Sequence, residues 1–143
     1  MKKLLLLFIL ALCFNISKAQ TTTTYTELNA GVSVGTVPLF PGASFLYGAT
    51  TRFNSGVLLD YQGGLVFPSI LTAKAGVGYT FDSKYELSLG ARIWPSTTYL
   101  QLRSNRPDKN RDILFTIEAM SWGATSFGQS AIFTVGWRHN IVK

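Results

Sequence analysis

Cysteine and histidine are nearly absent from this 143-residue chain, which has one of each, Cys13 and His139. Cys13 falls in an N-terminal segment that reads as removable, so disulfides and thiol chemistry are excluded from the remainder. Charge is scarce too: Asp, Glu, Lys and Arg make up 14% of the residues, well below the ~25% of ordinary soluble domains. After Phe14 no apolar run approaches the ~20 residues that a membrane-spanning helix needs. Low charge without a helical span points to a membrane crossed by strands.

The removable segment has the parts of a secretory signal: Lys2 and Lys3, an apolar run from Leu4 to Phe14, then Ser17-Lys18-Ala19 before Gln20. The expected division is therefore a signal peptide over 1–19 and one domain over 20–143. Cleavage also rewrites the charge. Thirteen Lys and Arg less Lys2, Lys3 and Lys18 leaves ten, against seven acids, so the mature charge is +3 rather than +6. No Lys/Arg stripe with interleaved aromatics remains, and nucleic acid is not an expected partner.

The mature chain is written in period 2. Ile70 to Phe81 sets Leu71, Ala73, Ala75, Val77, Tyr79 and Phe81 against Thr72, Lys74, Gly76, Gly78 and Thr80. Alternation this long predicts a strand with a different environment on each face. Seven further segments follow the same grammar: Tyr25–Gly35, Ala43–Phe53, Val57–Phe67, Tyr85–Trp94, Thr97–Ser104, Ile113–Trp122 and Ala131–Ile141. A polar lead, Thr21 to Thr24, precedes the first. Pro38 with Pro41-Gly42, Asn54-Ser55-Gly56, Pro68-Ser69, Asp82-Ser83-Lys84, Pro95-Ser96, Asn105–Asp112 and Gly123–Ser130 supply the turns and loops. The expectation is all-β: one eight-stranded antiparallel up-and-down barrel.

Composition decides which phase faces in. The polar phase is mostly Gly, Ser, Thr and Asn, whereas a solvent face carries many Lys and Glu. An eight-stranded barrel has an interior just wide enough for side chains to fill, and the Leu, Phe and Tyr of eight strands would overfill it. The apolar phase is therefore expected to face lipid, on strands near the ~9–11 residues a membrane barrel uses. Each segment also carries charge in its inward phase: Glu27, Arg52, Asp60, Lys74, Glu86 with Arg92, Arg103, Glu118 and Arg138. Taking the first charge on each, the signs alternate from strand to strand and again at closure. The prediction is an interior of ion pairs between neighbouring strands, since a lone buried charge costs several kcal/mol.

In this pattern the mature chain resembles the small eight-stranded outer-membrane barrels of the OmpA/OmpX type. The resemblance implies an outer-membrane location with the N-terminus in the periplasm. That puts Thr36–Gly42, Pro68–Ser69, Pro95–Ser96 and Gly123–Ser130 outside and Asn105–Asp112 in the periplasm. Two features depart from the type: the connections are short, and the chain ends Ile141-Val142-Lys143 where an aromatic is usual.

Chemical sites are sparse. His139 has no Asp or Ser at a recognisable spacing to complete a hydrolytic constellation. Metal ligands are lacking, with one His and carboxylates dispersed over the segments, and no cofactor is expected. Gly76-Val77-Gly78 sits in mid-strand, outside the strand-to-helix context of a phosphate loop. Phe53, Tyr79, Phe81, Tyr85 and Trp137 are expected at the periplasmic rim of the membrane and Phe45 and Phe67 toward the other, an interfacial girdle. The leading reading is a structural or interaction-mediating outer-membrane barrel without catalysis. Its expected partners are outer-membrane lipid and a periplasmic protein docking on Asn105–Asp112. Two alternatives are a soluble secreted or periplasmic β-barrel or sandwich binding a small hydrophobic ligand, and a lipid-modifying barrel enzyme dependent on His139.

Overall fold

A computed structural model describes residues 19–35, 39–67, 70–82, 84–94, 96–104, 110–120 and 129–142. The segment up to Lys18, expected to be a signal peptide, and most of the expected Asn105–Asp112 and Gly123–Ser130 loops lie outside them. Among the described residues the chain forms β1 (Ala19–Gly35), β2 (Phe40–Phe53), β3 (Val57–Phe67), β4 (Ile70–Phe81), β5 (Tyr85–Arg92), β6 (Thr97–Ser104), β7 (Arg111–Met120) and β8 (Gln129–Val142). Each pairs antiparallel with the next, and β8 pairs with β1, closing an up-and-down barrel. Closure leaves no open edge, so every strand can hydrogen-bond its backbone on both sides in hydrocarbon.

Register fixes the barrel's dimensions. The paired row starting at Thr24 passes through Ala49, Tyr61, Ala75, Ala91, Thr98, Ala119 and Ala131. It returns to β1 at Val34, ten residues beyond its start. With ~3.3 Å per residue and ~4.8 Å between strands, this shear gives a tilt of about 40° and a radius of about 8 Å. Each step along a row then climbs about 3 Å, and ten residues of strand rise about 25 Å, the height of a membrane barrel's apolar band.

The two faces are inverted relative to a soluble protein. Among the described residues, twenty buried side chains are polar or charged and six are apolar, while 27 large apolar side chains are exposed. This distribution excludes the alternative in which the apolar phase forms a core or an apolar ligand cup. Small residues make the interior possible where strands crowd it. At Gly64 an added Cβ would collide with the Phe45 carbonyl oxygen on the paired strand, whereas at neighbouring Gly63 the nearest heavy atom is 3.6 Å away. Gly56 closes the β2–β3 turn at φ +82, donating its N–H to the Phe53 carbonyl at 3.0 Å.

Several boundaries differ from the sequence expectation. The threonine lead is strand: Thr21 to Thr24 pair with Ala49 to Arg52, and the Thr22 and Thr51 hydroxyls lie 3.2 Å apart. β-branched residues suit this extended pairing. β2 starts at Phe40 and includes Pro41, which pairs with Val32 on β1 only, because β3 pairing ends at Ala43–Phe67. A proline with no N–H is tolerated at such a half-free position. β5 stops at Arg92, with Ile93 and Trp94 in the turn. β7 begins at Arg111, which removes Arg111 and Asp112 from the expected charged loop; Asp112 points inward and is fully buried. β8 takes in Gln129 and Ser130.

Candidate functional site

The side chains most able to do chemistry converge in the lumen, where they form two ionic layers. Arg138 on β8 organises the layer nearer the start of β1. Its Nε and Nη2 donate to Glu27 Oε2 at 3.0 and 2.7 Å. Its Nη1 and Nη2 donate to Asp60 Oδ1 and Oδ2, both at 3.1 Å. The guanidinium carbon stacks 3.5 Å from the centre of the Tyr25 ring, and the Tyr25 hydroxyl donates to both Asp60 oxygens at 3.0 Å. Thr50 donates to Asp60 Oδ1 at 2.5 Å and accepts from Arg138 Nη1 at 3.1 Å. Beside this group, Glu86 pairs with Arg52 Nε at 2.9 Å and with Arg103. Asp112 accepts from Asn140 at 3.2 Å and stands in register with Arg138.

The second layer lies nearer the end of β1 and is built on Glu118. One oxygen, Oε1, accepts from Lys74 Nζ and from Arg92 Nη2, both at 2.7 Å; the other accepts from the Thr97 hydroxyl at 2.9 Å. Lys74 Nζ also sits 5.2 Å from the centre of the Tyr99 ring. A neutral polar layer separates the two: Asn29 bridges Glu27 Oε1 at 2.8 Å and Ser44 at 3.1 Å, and Gln101 donates to Thr116 at 3.1 Å.

The pairing pattern corrects the expectation of neighbour-to-neighbour bridges. Of the six ion pairs among the described residues, Arg138–Glu27 and Arg103–Glu86 join adjacent strands. Of the other four, Arg138–Asp60, Arg52–Glu86 and Lys74–Glu118 cross the lumen between strands three apart, and Arg92–Glu118 spans β6. The cause is shear. Adjacent Arg52 and Asp60 face Leu58 and Thr50 rather than each other, and a radius of about 8 Å lets long side chains meet across the barrel. Tyr25 lay at the edge of its expected segment and was assigned to neither phase, and Asp112 fell in the expected loop, although each stands two residues before a buried inward position, Glu27 and Leu114.

Apart from Arg52, whose side chain is 23% exposed, the ionisable groups of both layers are almost wholly buried. A water-wide passage running past them would have left them accessible, so the layers act as a plug. One small cavity, about 60 Å³, lies at the Glu118 end against Asn29, Ser33, Ser44, Arg92 and Thr134; it has room for a few waters.

On the outside, Phe45, Phe67, Tyr79, Phe81, Tyr85 and Trp137 are exposed, and Phe53 is half-buried. Tyr79 and Phe81 pack edge to face with ring centres 5.1 Å apart. Phe45 and Trp137, expected on opposite rims, instead flank one residue, Leu28, and line the same groove. Two strands of climb separate them by only about 6 Å in height. His139 points outward, in register with Thr26 and Arg111. Among the described residues no three His, Cys, Asp or Glu side chains gather as a metal site.

An apolar belt around a closed, ion-filled lumen defines the class: an eight-stranded transmembrane-type β-barrel. The solved structures agree at the level of fold. Neisserial surface protein A superimposes with a TM-score of 0.51 at 14% identity, over 86% of this chain and 99% of that one. A de novo designed transmembrane β-barrel superimposes with a TM-score of 0.51 at 15% identity, also over 86% and 99%. No protein-family model matches the sequence, and no curated protein matches it either.

Proposed function

We infer that this chain is an outer-membrane barrel of the OmpA/OmpX type, structural or interaction-mediating, with no catalysis and no open pore. The observation that carries this reading is the combination of a lipid-suited belt with a lumen shut by two layers of ion pairs. A scaffold that anchors its connections at a membrane surface needs a rigid wall and no transport path. The ionic plug supplies rigidity, because Arg138, Glu27, Asp60, Glu86 and Glu118 are each held by at least two partners. Among the described residues His139 has Thr26 and Arg111 in register beside it, which gives no base–orienter–nucleophile set there and disfavours the lipid-modifying alternative. A periplasmic partner at the connection 105–110 belongs to the same reading.

Cell fractionation with a heat-modifiability gel tests the location, and single-channel recording in planar bilayers tests the plug. The reading predicts recovery with the outer membrane, faster migration unboiled than boiled, and no conductance steps. Recovery as a soluble protein would overturn the membrane location, and regular steps would overturn the closed lumen. His139→Ala is expected to leave the envelope's lipid composition unchanged.

A further inference from the structure

The apolar belt is interrupted by a row that carries charge. Arg111 on β7, His139 on β8 and Thr26 on β1 form a continuous outward row across three strands. Beside them lies an outer groove of about 330 Å³, walled by Trp137 and Phe45 with Leu28 between. Glu27 and Arg138 border the same groove, but their side chains pair with each other in the lumen and offer it no charge. Asp112, next to Arg111, is likewise turned inward onto Asn140. No carboxylate among the described lining residues therefore offsets Arg111 on the outer face.

Height makes the interruption informative. With a climb of about 3 Å per strand along each row, His139 lies roughly 8 Å nearer the barrel's mid-height than Phe53 and Phe81 on the far side of the same rim. A flat bilayer edge set by those aromatics would leave Arg111, His139 and Thr26 facing hydrocarbon, where unpaired polar groups are strongly disfavoured.

We propose that the outer seam of β7, β8 and β1 binds one anionic glycerophospholipid, its phosphate held by Arg111 and His139 and an acyl chain laid over Leu28 between Trp137 and Phe45. A phosphate drawn to this row neutralises the guanidinium and accepts bidentate hydrogen bonds from it. The chain below then fills a groove whose walls are apolar. The occupant belongs to the leaflet at the end where β1 begins. The site rests on the membrane reading above, and gives that barrel a preferred lipid and a fixed rotational setting against the leaflet.

The test uses the full chain with Trp94→Phe and Trp122→Phe, leaving Trp137 as the fluorophore, refolded into vesicles of mixed phosphatidylcholine and phosphatidylglycerol. Acyl-brominated phosphatidylglycerol is compared with acyl-brominated phosphatidylcholine at equal mole fraction. Trp137 is expected to select the anionic lipid by about fivefold, the scale of one basic side chain acting on an anionic lipid. Arg111→Gln with His139→Gln should bring the ratio to one. Equal quenching by both lipids, or a preference that survives the double substitution, overturns the site. A heat-modifiability gel on each sample separates the two levels: an inserted barrel without preference refutes the site alone, and a chain that does not insert refutes the membrane reading beneath it.

Discussion

Removing Arg138 is the sharpest perturbation of the ionic plug. The residue is completely buried, bridges Glu27 and Asp60, and covers the face of Tyr25. Arg138→Ala strands two buried carboxylates, and breaking one buried pair alone costs about 3–5 kcal/mol. With two acceptors uncovered and a stacking contact worth up to ~2 kcal/mol lost, the expected loss lies at the upper end, about 4–5 kcal/mol. At a urea slope of about 2 kcal/mol per molar, the unfolding midpoint falls by about 2 M. The assay is urea titration of the barrel in vesicles, read by Trp fluorescence and by the folded band on unboiled gels. Lys84→Ala, in the exposed β4–β5 turn, serves as a control and should move stability by no more than about 0.5 kcal/mol. A triple change, Arg138→Met with Glu27→Gln and Asp60→Asn, removes all three charges together and should recover about 2 kcal/mol over the single change. A midpoint shift under about 0.5 M for Arg138→Ala, or no recovery in the triple, would refute the reasoning.

Glu118→Gln leaves Lys74 and Arg92 sharing a neutral acceptor and should lower stability by about 3–5 kcal/mol in the same titration. Gly64→Ala should prevent or strongly weaken folding because the new methyl meets the Phe45 carbonyl, whereas Gly63→Ala should fold normally; folded yield on unboiled gels decides between them. Leu89→Arg, near mid-belt, is expected to cost about 2–4 kcal/mol in vesicles, and Phe81→Arg at the rim no more than about 1 kcal/mol. Similar losses for the two would remove the bilayer from the explanation.

The wall of this barrel was legible in the sequence because period 2 is unforgiving: a slip of one residue at Val77 or Leu89 would send the apolar phase inward. The direction of that phase was legible for a second reason, the Gly, Ser and Thr of the opposite phase, which suit a narrow lumen. Partner choice was not legible. Arg52 pairs with Glu86 and Lys74 with Glu118 across the lumen because tilt brings strands that are distant in sequence to one height, and shear is set by the summed register of all eight pairings. The same summation moved Trp137 next to Phe45. Residues at element ends were obscured by local signals: four threonines resembled a linker, Pro41 a turn, and Arg111-Asp112 a charged loop. Asp112 is the instructive case, since its phase matched Leu114 and its loop-like composition concealed it.

The central claim is that the polar face is inside and the apolar face meets lipid. Methyl-labelled leucines in a nanodisc test it without any substitution, by nuclear Overhauser transfer from acyl-chain protons. Leu28, Leu65, Leu71, Leu89, Leu100 and Leu102 are exposed, and Leu46, Leu58 and Leu114 are fully buried in the lumen. The account predicts strong lipid cross-peaks for the first group and none for the second. Cross-peaks shared by both groups, or confined to Leu46, Leu58 and Leu114, would contradict it.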